Sequence, residues 1–310
     1  MRVFVAGATG AIGRLLVPQL VAAGHEVTGM TRTEDGAERI RSAGGAASVC
    51  DVFDRSGLGA ALGAARPEVV VHQLTALPQA FDIRKIDYGP TNRVRTEGTR
   101  NLIESGLAAG ARRMVAQSIS FLAAPEGEWI QDETARPFTD APPPFESGVT
   151  STLELEEMVT HTDGLEGLVL RYGFFYGPGT YYAHDGNLAD ETRKRRQPIV
   201  GGGTGVFSFV HLEDAASATV AAVERGAPGV YNVVDDDPAP MHEWIPVYAE
   251  ALGAKAPLRV PKWIARLAAG PMAVRWATEM RGASNAKVKR ELAWQPRYPS
   301  WREGFREALG

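Results

Sequence analysis

The chain has 310 residues, of which 44% are hydrophobic and 23% charged, and its formal net charge is -4 at pH 7. This charge balance gives no indication of a nucleic-acid partner, because such partners are bound by basic patches. No apolar run reaches the roughly eighteen residues of a membrane-spanning helix, so we expect neither membrane association nor a signal peptide. Cys50 is the only cysteine, which excludes an intramolecular disulfide and a multi-cysteine metal site. We therefore expect a cytoplasmic protein without a metal centre.

The first predicted element is a buried strand that leads into a glycine-rich turn. The apolar run over 3–6 is typical of a strand with both faces buried. Gly7, Gly10 and Gly13 follow at three-residue spacing, and a helical apolar pattern begins at residue 11. Such a turn lets a pyrophosphate approach the backbone, where the free N–H groups of the helix start face it. The predicted phosphate-binding residues are Gly7, Ala8, Thr9, Gly10, Ala11, Ile12 and Gly13. The alternative is a glycine-rich turn without a ligand.

The spacing of this turn is G-x-x-G-x-x-G with Ala-Thr inside it, which resembles the short-chain dehydrogenase/reductase superfamily, especially its extended and atypical branches. The resemblance implies an α/β fold: a Rossmann-like, doubly wound parallel sheet with a smaller, mostly helical C-terminal substrate lobe. A length of 310 residues suits a nucleotide-binding domain with such a second lobe.

The residues after the second predicted strand, 26–30, indicate which cofactor binds. NAD-binding forms of the motif carry an acidic residue here, which accepts hydrogen bonds from the ribose hydroxyls. This chain has Arg32 between two threonines, and a guanidinium matches a phosphate in charge and geometry. We therefore predict NADP(H), with Arg32 on the 2′-phosphate. The alternative is an exposed surface arginine.

The ends of the next strands supply further candidates. The resemblance implies that Asp51, with Val52, holds the adenine edge, although Asp51 could instead cap the following helix. A strand over 68–71 leads into His72, which is either an acid/base or a structural residue. Loops at the carboxyl ends of parallel strands bind ligands in open α/β sheets. The predicted cofactor-binding residues in these loops are Leu74, Thr75, Ala76 and Gln117.

The usual proton-donating residues of the superfamily are missing. Its members reduce a carbonyl with Ser or Thr, Tyr and Lys, the last two spaced Tyr-x-x-x-Lys, and no Tyr-x-x-x-Lys occurs in this chain. The Tyr and Lys positions fall on Gly148 and Thr152. Ser118 and Ser120, on either side of Ile119, are the expected donors of a hydrogen bond to the carbonyl oxygen.

A helix predicted over 91–109 resembles the superfamily pattern Asn-x-x-Gly-Thr. Gly98 and Thr99 match that pattern, but its Asn position falls on Arg95, with Asn92 one helical turn earlier.

The second half resembles the extended branch through a strand over 168–171 followed by Tyr-Gly-Phe-Phe-Tyr-Gly-Pro-Gly. The resemblance implies that Tyr172, Gly173 and Phe174 line the nicotinamide. The alternative is that the aromatic residues of this run pack in the core. Tyr176 is a candidate replacement acid. We predict an NADP-binding domain over 1–170, to which 206–235 returns. The predicted substrate lobe covers 171–205 and 236–310. Its segment 263–280 either forms part of an apolar substrate wall or packs in the core.

Among known families, the chain looks most like ketoreductases that tailor polyketide antibiotics, including angucyclinone ketoreductases that lack the usual triad. The resemblance implies NADPH-dependent reduction of a ketone on a sizeable, aromatic polyketide-type substrate. Two alternatives stay open: a non-catalytic NADP(H) sensor like the NmrA-type regulators, and an epimerase or dehydratase of the same fold. The expected partner is the small-molecule ketone, and the protein is expected to be a monomer or a homodimer.

Overall fold

The structure is a computed structural model that describes residues 1–78, 80–82 and 86–309. The strands in these ranges are β1 (Arg2–Ala6), β2 (Glu26–Thr31), β3 (Ala46–Val49), β4 (Val69–His72), β5 (Arg113–Ile119), β6 (Ile130–Gln131), β7 (Glu166–Tyr172), β8 (Phe174–Tyr176), β9 (Ile199–Val200), β10 (Val206–Phe207), β11 (Phe209–His211), β12 (Gly229–Val233), β13 (Ala239–Pro240), β14 (Arg259–Val260) and β15 (Gly282–Ala283). The α-helices are α1 (Gly13–Ala22), α2 (Glu34–Ser42), α3 (Arg55–Ala65), α4 (Gly89–Arg93), α5 (Thr99–Ala108), α6 (Phe145–His161), α7 (Asn187–Arg193), α8 (Leu212–Glu224), α9 (Met241–Ala251), α10 (Lys262–Glu279), α11 (Ala286–Glu291) and α12 (Trp301–Leu309).

Seven strands form one parallel sheet in the order β12-β7-β5-β4-β1-β2-β3. Val3 and Val5 of β1 face one buried cluster and Phe4 faces the other, which explains the continuous apolar run of this strand. The strand order changes direction between β1 and β4. Open α/β sheets bind ligands outside the carboxyl ends of their strands at such a switch point.

Helices cover both faces of this sheet. On one face, Leu16 of α1 and Ala218 of α8 belong to the same buried cluster. On the other face, Leu58 of α3, Leu102 of α5 and Leu155 of α6 form a second cluster. This arrangement confirms the predicted doubly wound α/β fold.

The chain after β7 leaves the sheet and returns to it. β8 pairs with β11 outside the main sheet, and β12 then pairs in parallel with β7. The later elements include α9, α10, α11 and α12, so this part of the protein is mostly helical. Trp244, Trp301 and Phe305 form its aromatic core together with Phe209. No helix within the described ranges combines the length and the hydropathy needed to cross a bilayer.

The helix predicted over 91–109 is not uniform. α4 and α5 are joined by a π-helical turn, Val94–Gly98, which contains Arg95. Such π-helical turns occur frequently at functional sites because they displace side chains from the regular helical positions.

Candidate active site

The predicted cofactor-binding residues converge at one edge of the sheet. The glycine turn follows β1, Arg32 follows β2 and Asp51 comes shortly after β3. The loop that starts at residue 73 follows β4, and Gln117 lies near the end of β5. Because these strands are parallel neighbours, their carboxyl ends lie side by side and form a continuous surface for an extended ligand.

The glycine turn has the geometry of a phosphate cradle. Gly7 has a φ of +93°, and a Cβ on it would lie 2.7 Å from the carbonyl oxygen of Gln73. A Cβ on Gly13 would lie 2.1 Å from the carbonyl oxygen of Gly7, so neither position accepts a side chain. Gly10 is exposed at the tip of the turn. The first turn of α1 has no side-chain cap and no acidic residue. The N–H groups of Arg14 and Leu15 donate to the carbonyls of Gly10 and Ile12, whereas those of residues 11–13 have no acceptor among the described residues and can receive an anion.

Arg32 is exposed at the end of β2 and has no ion-pair partner among the described residues. Thr33 caps α2 by accepting a hydrogen bond from the Gly36 N–H at 3.1 Å. Glu34 and Asp35 lie in the first turn of that helix. The two acidic residues therefore stabilise the start of α2, and the Arg32 guanidinium remains available to bind a phosphate.

Asp51 and Val52 follow β3 at this edge. Asp51 accepts a hydrogen bond from the Phe53 N–H at 2.9 Å, whereas Asp54 caps α3. Asp51 is therefore not the cap of α3, contrary to the alternative left open by the sequence. Val52 is buried, and its carbonyl accepts a hydrogen bond from Asn101 at 3.0 Å.

His72 and Gln117 hold the loop after β4. His72 is fully buried; its Nδ1 accepts the Leu74 N–H at 3.2 Å, so its Nε2 carries the proton toward Thr99 at 3.1 Å. Burial lowers the pKa of His72 to about 4, and the positive charge of Arg95 adds to the effect. Gln117 donates a hydrogen bond to the Leu74 carbonyl at 3.0 Å. His72 is therefore a neutral structural residue. The exposed Thr75 and Ala76 follow Leu74, whose backbone these two hydrogen bonds hold in place.

Both candidate serines are buried. The Ser118 hydroxyl donates to the carboxylate of Glu156 at 2.6 Å, and the same carboxylate accepts from Arg171 at 2.8 and 2.6 Å. Ser118 is thus committed to a buried ion pair and is not free to polarise a substrate carbonyl. Ser120 is buried and lines a small cavity with Arg171 and Asn232.

Two of the aromatic candidates belong to the core. Tyr176 is fully buried, and its hydroxyl has no hydrogen-bond partner among the described residues. Burial raises the pKa of Tyr176 well above its usual value. It therefore does not fit the expected role of replacement acid. Tyr172 is also buried; its hydroxyl lies 2.6 Å from that of Thr219 and accepts from Gln73 at 3.1 Å. The Tyr172 side chain is thus a core residue and not the expected wall of a nicotinamide site.

Gly173 and Phe174 continue from β7 toward the C-terminal helices. A Cβ on Gly173 would lie 2.5 Å from the carbonyl oxygen of Ser208, so this close approach requires glycine. Phe174 is half-buried and stacks on Phe121 with ring centroids 4.4 Å apart. The two rings lie beyond the carboxyl ends of β7 and β5, beside the predicted cofactor edge.

An aromatic cluster extends from this pair. We define it by the rings of Phe81, Phe121, Phe145, Phe174 and Trp276. Trp276 of α10 contacts all four of the other rings, with centroid distances between 5.5 and 6.2 Å. Segment 263–280 thus contributes Trp276 to this apolar wall. Its first part does not line the cluster, because Trp263 and Leu267 are 65% and 81% exposed.

Beside the cluster, the Tyr88 ring lies against Gly148, which has no side chain, and Arg95 reaches the carbonyl of the same residue. A Cβ on Gly148 would lie 3.1 Å from the Tyr88 ring, and Arg95 donates a hydrogen bond to the Gly148 carbonyl at 3.2 Å. The Thr152 hydroxyl donates to the same carbonyl at 2.7 Å. Sequence reasoning missed the pair, although Arg95 at the Asn position of the helical pattern was a visible signal.

Comparison with known proteins fits this geometry. A sequence profile of the NAD dependent epimerase/dehydratase family matches residues 3–233. The chain belongs to this family. Its fold resembles that of a UDP-glucose 4-epimerase from Thermotoga maritima, at 22% identity and a TM-score of 0.78 over 100% of this chain and 97% of that one. A UDP-glucose 4-epimerase from Thermus thermophilus, in complex with NAD, is 25% identical, with a TM-score of 0.75 over 100% and 98% of the two chains.

Three of the relatives found by sequence comparison are named as reductases. A 3-diazoavenalumate denitrifying reductase from a Streptomyces species is 48% identical over 306 residues, which cover 98% of this chain and 99% of the relative. A 4-hydroxy-2-methyl-3-oxo-4-farnesyl-3,4-dihydroquinoline-1-oxide ketoreductase from Stigmatella aurantiaca is 28% identical over 87% of this chain and 79% of its own length. This member of the epimerase/dehydratase family is an oxidoreductase. It uses a nicotinamide cofactor, for which the side-chain-free cradle of Gly7 and Gly13 is a physical fit.

Proposed function

We propose that the protein is an NADPH-dependent reductase that directs hydride to an electrophilic group of an aromatic substrate. The proposal rests on one combination above all: the glycine cradle is intact, while Gly148 and Thr152 replace the usual Tyr and Lys. When bound, the reduced cofactor supplies a hydride. The exposed Arg32 supports the choice of NADPH, because a guanidinium pairs with the 2′-phosphate that NADH lacks.

The substrate that we favour carries a diazonium group on an aromatic ring. The relative that is 48% identical over nearly its whole length is a denitrifying reductase of a diazo compound. In the balanced reaction, an aryl diazonium ion and NADPH give the arene, dinitrogen and NADP⁺. Dinitrogen leaves as a neutral molecule and no alkoxide forms, so no tyrosine acid is needed at the position of Gly148.

Reduction of an aromatic ketone is the second candidate. The ketoreductase from Stigmatella aurantiaca and the aromatic cluster support it. Hydride addition to a carbonyl carbon leaves an alkoxide, which must then take a proton. Tyr88 is the phenol that lies against Gly148, so it would be the donor in that reaction. The diazonium reaction needs no proton donor from the protein, whereas the ketone reaction does, so the residues present fit it better.

The test is a reaction of purified protein with NADPH and each of two substrates, 3-diazoavenalumate and an aromatic polyketide ketone. We expect NADPH consumption coupled to dinitrogen release with the diazo compound, faster than in protein-free buffer. NADPH deuterated at C4, compared with ordinary NADPH in D2O, traces the origin of the new C–H bond. Consumption with the ketone alone would favour the second candidate. Tight NADPH binding without consumption in either reaction would instead indicate a sensor.

A further inference from the structure

Arg95 is a half-buried cation that contacts no carboxylate in the described part of the chain. It lies on the π-helical turn. Its guanidinium donates a hydrogen bond to the Gly148 carbonyl at 3.2 Å, which uses only one of its N–H donors. Within the described ranges, no carboxylate forms an ion pair with it. Glu156 attracts it electrostatically, but that carboxylate is already held by Arg171 at 2.6 and 2.8 Å and by Ser118 at 2.6 Å. The Arg95 charge is therefore not neutralised locally.

Burying an unpaired charge is unfavourable, and proteins normally compensate for it with a partner. Burial lowers the pKa of Arg95 to about 10, with Tyr88 and Glu156 opposing the effect, so the side chain still carries its charge at neutral pH. A surface arginine would be free of this penalty. The placement of Arg95 thus indicates that the anion which completes it comes from outside the chain.

Tyr88 adds a second donor at the same place. Its ring lies against Gly148 and is tilted against Phe145, with ring centroids 6.2 Å apart. Its hydroxyl has no hydrogen-bond partner in the described part of the chain. Burial raises the pKa of Tyr88 to about 12, although Arg95 opposes the shift, so the hydroxyl keeps its proton. A neutral O–H donor and a guanidinium therefore adjoin one apolar wall.

We propose that Tyr88 and Arg95 bind an anionic oxygen of the substrate, a carboxylate or a phenolate, while the aromatic cluster holds its ring. The inference rests on the proposed reductase function and specifies its substrate class. A cation and an O–H donor both favour a negatively charged oxygen over a neutral one. The cluster residues Phe121 and Trp276 supply aromatic faces within the same apolar group of side chains as Tyr88. The substrates selected by this arrangement are aromatic acids or acidic phenols.

The test measures binding rather than turnover. Protein saturated with NADP⁺ is titrated with 4-hydroxycinnamate, its methyl ester and its 4-methoxy analogue, by calorimetry and by quenching of tryptophan fluorescence. The ester lacks the carboxylate and the methyl ether lacks the phenol, so the pair distinguishes the two sources of the anion. We expect one of the two to bind at least about tenfold more weakly than the parent compound, which corresponds to about 1.4 kcal/mol.

The variants then assign that preference to residues. Arg95→Met should remove it, Arg95→Lys should keep part of it, and Tyr88→Phe should reduce it. Arg93→Met is the matched control, because Arg93 lies on α4 two residues earlier and is exposed and paired with Glu97 at 2.7 Å. That control should bind all three probes like the unmodified protein.

Two outcomes would overturn the inference. The unmodified protein could bind the parent compound, the ester and the ether equally well, a result that needs no variant and so does not depend on whether Arg95→Met folds. Alternatively, Arg95→Met could weaken NADP⁺ and leave the probe preference intact, which would make Arg95 a cofactor ligand. Because neither readout requires hydride transfer, failure here is distinct from failure of the reductase proposal.

Discussion

Alanine at Gly10 should separate cofactor binding from folding. A Cβ at this exposed position would meet only the Gly7 carbonyl oxygen, at 3.2 Å, a contact that a small shift relieves. We therefore expect the free energy of unfolding to change by no more than about 0.5 kcal/mol. The same methyl group would stand where the pyrophosphate must approach the backbone. We expect at least about tenfold weaker NADPH binding, or about 1.4 kcal/mol.

Alanine at Gly13 should behave differently. Its Cβ would lie 2.1 Å from the Gly7 carbonyl oxygen and 2.6 Å from the carbonyl carbon of Ala8, and neither backbone atom can move aside cheaply. We expect a loss of about 3 kcal/mol or more in stability. Gly59→Ala is the matched control, because Gly59 lies inside α3 with open space around it. Helix propensity alone should stabilise that variant by about 0.5–1 kcal/mol.

The assay is urea denaturation of the three variants with and without NADPH, together with calorimetric titration of the cofactor. Ligand binding to the native state raises its apparent stability, so the two measurements check each other. If Gly10→Ala bound NADPH as tightly as the unmodified protein, the glycine turn would not be the pyrophosphate site. Unchanged stability in Gly13→Ala would refute the packing argument.

Three further predictions concern cofactor choice, pH and the buried ion pair. Arg32→Asp should weaken NADPH at least about tenfold more than NADH in calorimetric titration, because a carboxylate repels the 2′-phosphate; equal losses for both cofactors would exclude that contact. The pKa of His72 is about 4 in the folded protein, below its ordinary value of 6.5, so the unfolded chain takes up the proton first and stability falls as pH drops from about 6.5 to 4. The loss of unfolding free energy over this pH range should reach about 3 kcal/mol. Urea denaturation should show a smaller loss in His72→Gln. If the unfolding free energy of both proteins fell equally with pH, the low pKa of His72 would be contradicted. Glu156→Ala leaves the Arg171 guanidinium unpaired and should cost about 3–5 kcal/mol, whereas Ser118→Ala should cost about 1 kcal/mol and leave turnover unchanged. If Ser118→Ala were fully stable but turned over more slowly, Ser118 would take part in the reaction.

The parts of the fold that local patterns determine could be predicted from the sequence. The apolar run of β1, the glycines after it and the acids that start α2 each depend on neighbours within a few residues. Because the buried strands have the same kind of apolar run, the sequence predicts that they form one parallel sheet. The order of the strands agrees with the fold that the resemblance implied.

The direction of single polar side chains could not be predicted in the same way. Ser118 stands at a strand end, as a substrate-facing hydroxyl should, but Glu156 from a distant helix captures it. Tyr176 ends β8 and is a candidate acid in the sequence, yet its ring is buried in the aromatic core of the C-terminal helices. Arg95 and Tyr88 meet Gly148 only through tertiary packing, more than fifty residues away along the chain. Sequence spacing does not encode such encounters.

The most direct test of the proposed reaction is a single-turnover experiment with the purified protein, an aromatic diazonium acid and NADPH deuterated at C4. We expect stoichiometric release of dinitrogen, one NADP⁺ per arene formed, and retention of this stoichiometry in Ser118→Ala. The proposed reaction would be contradicted if NADPH bound to the protein but stayed reduced, with the diazo compound unchanged.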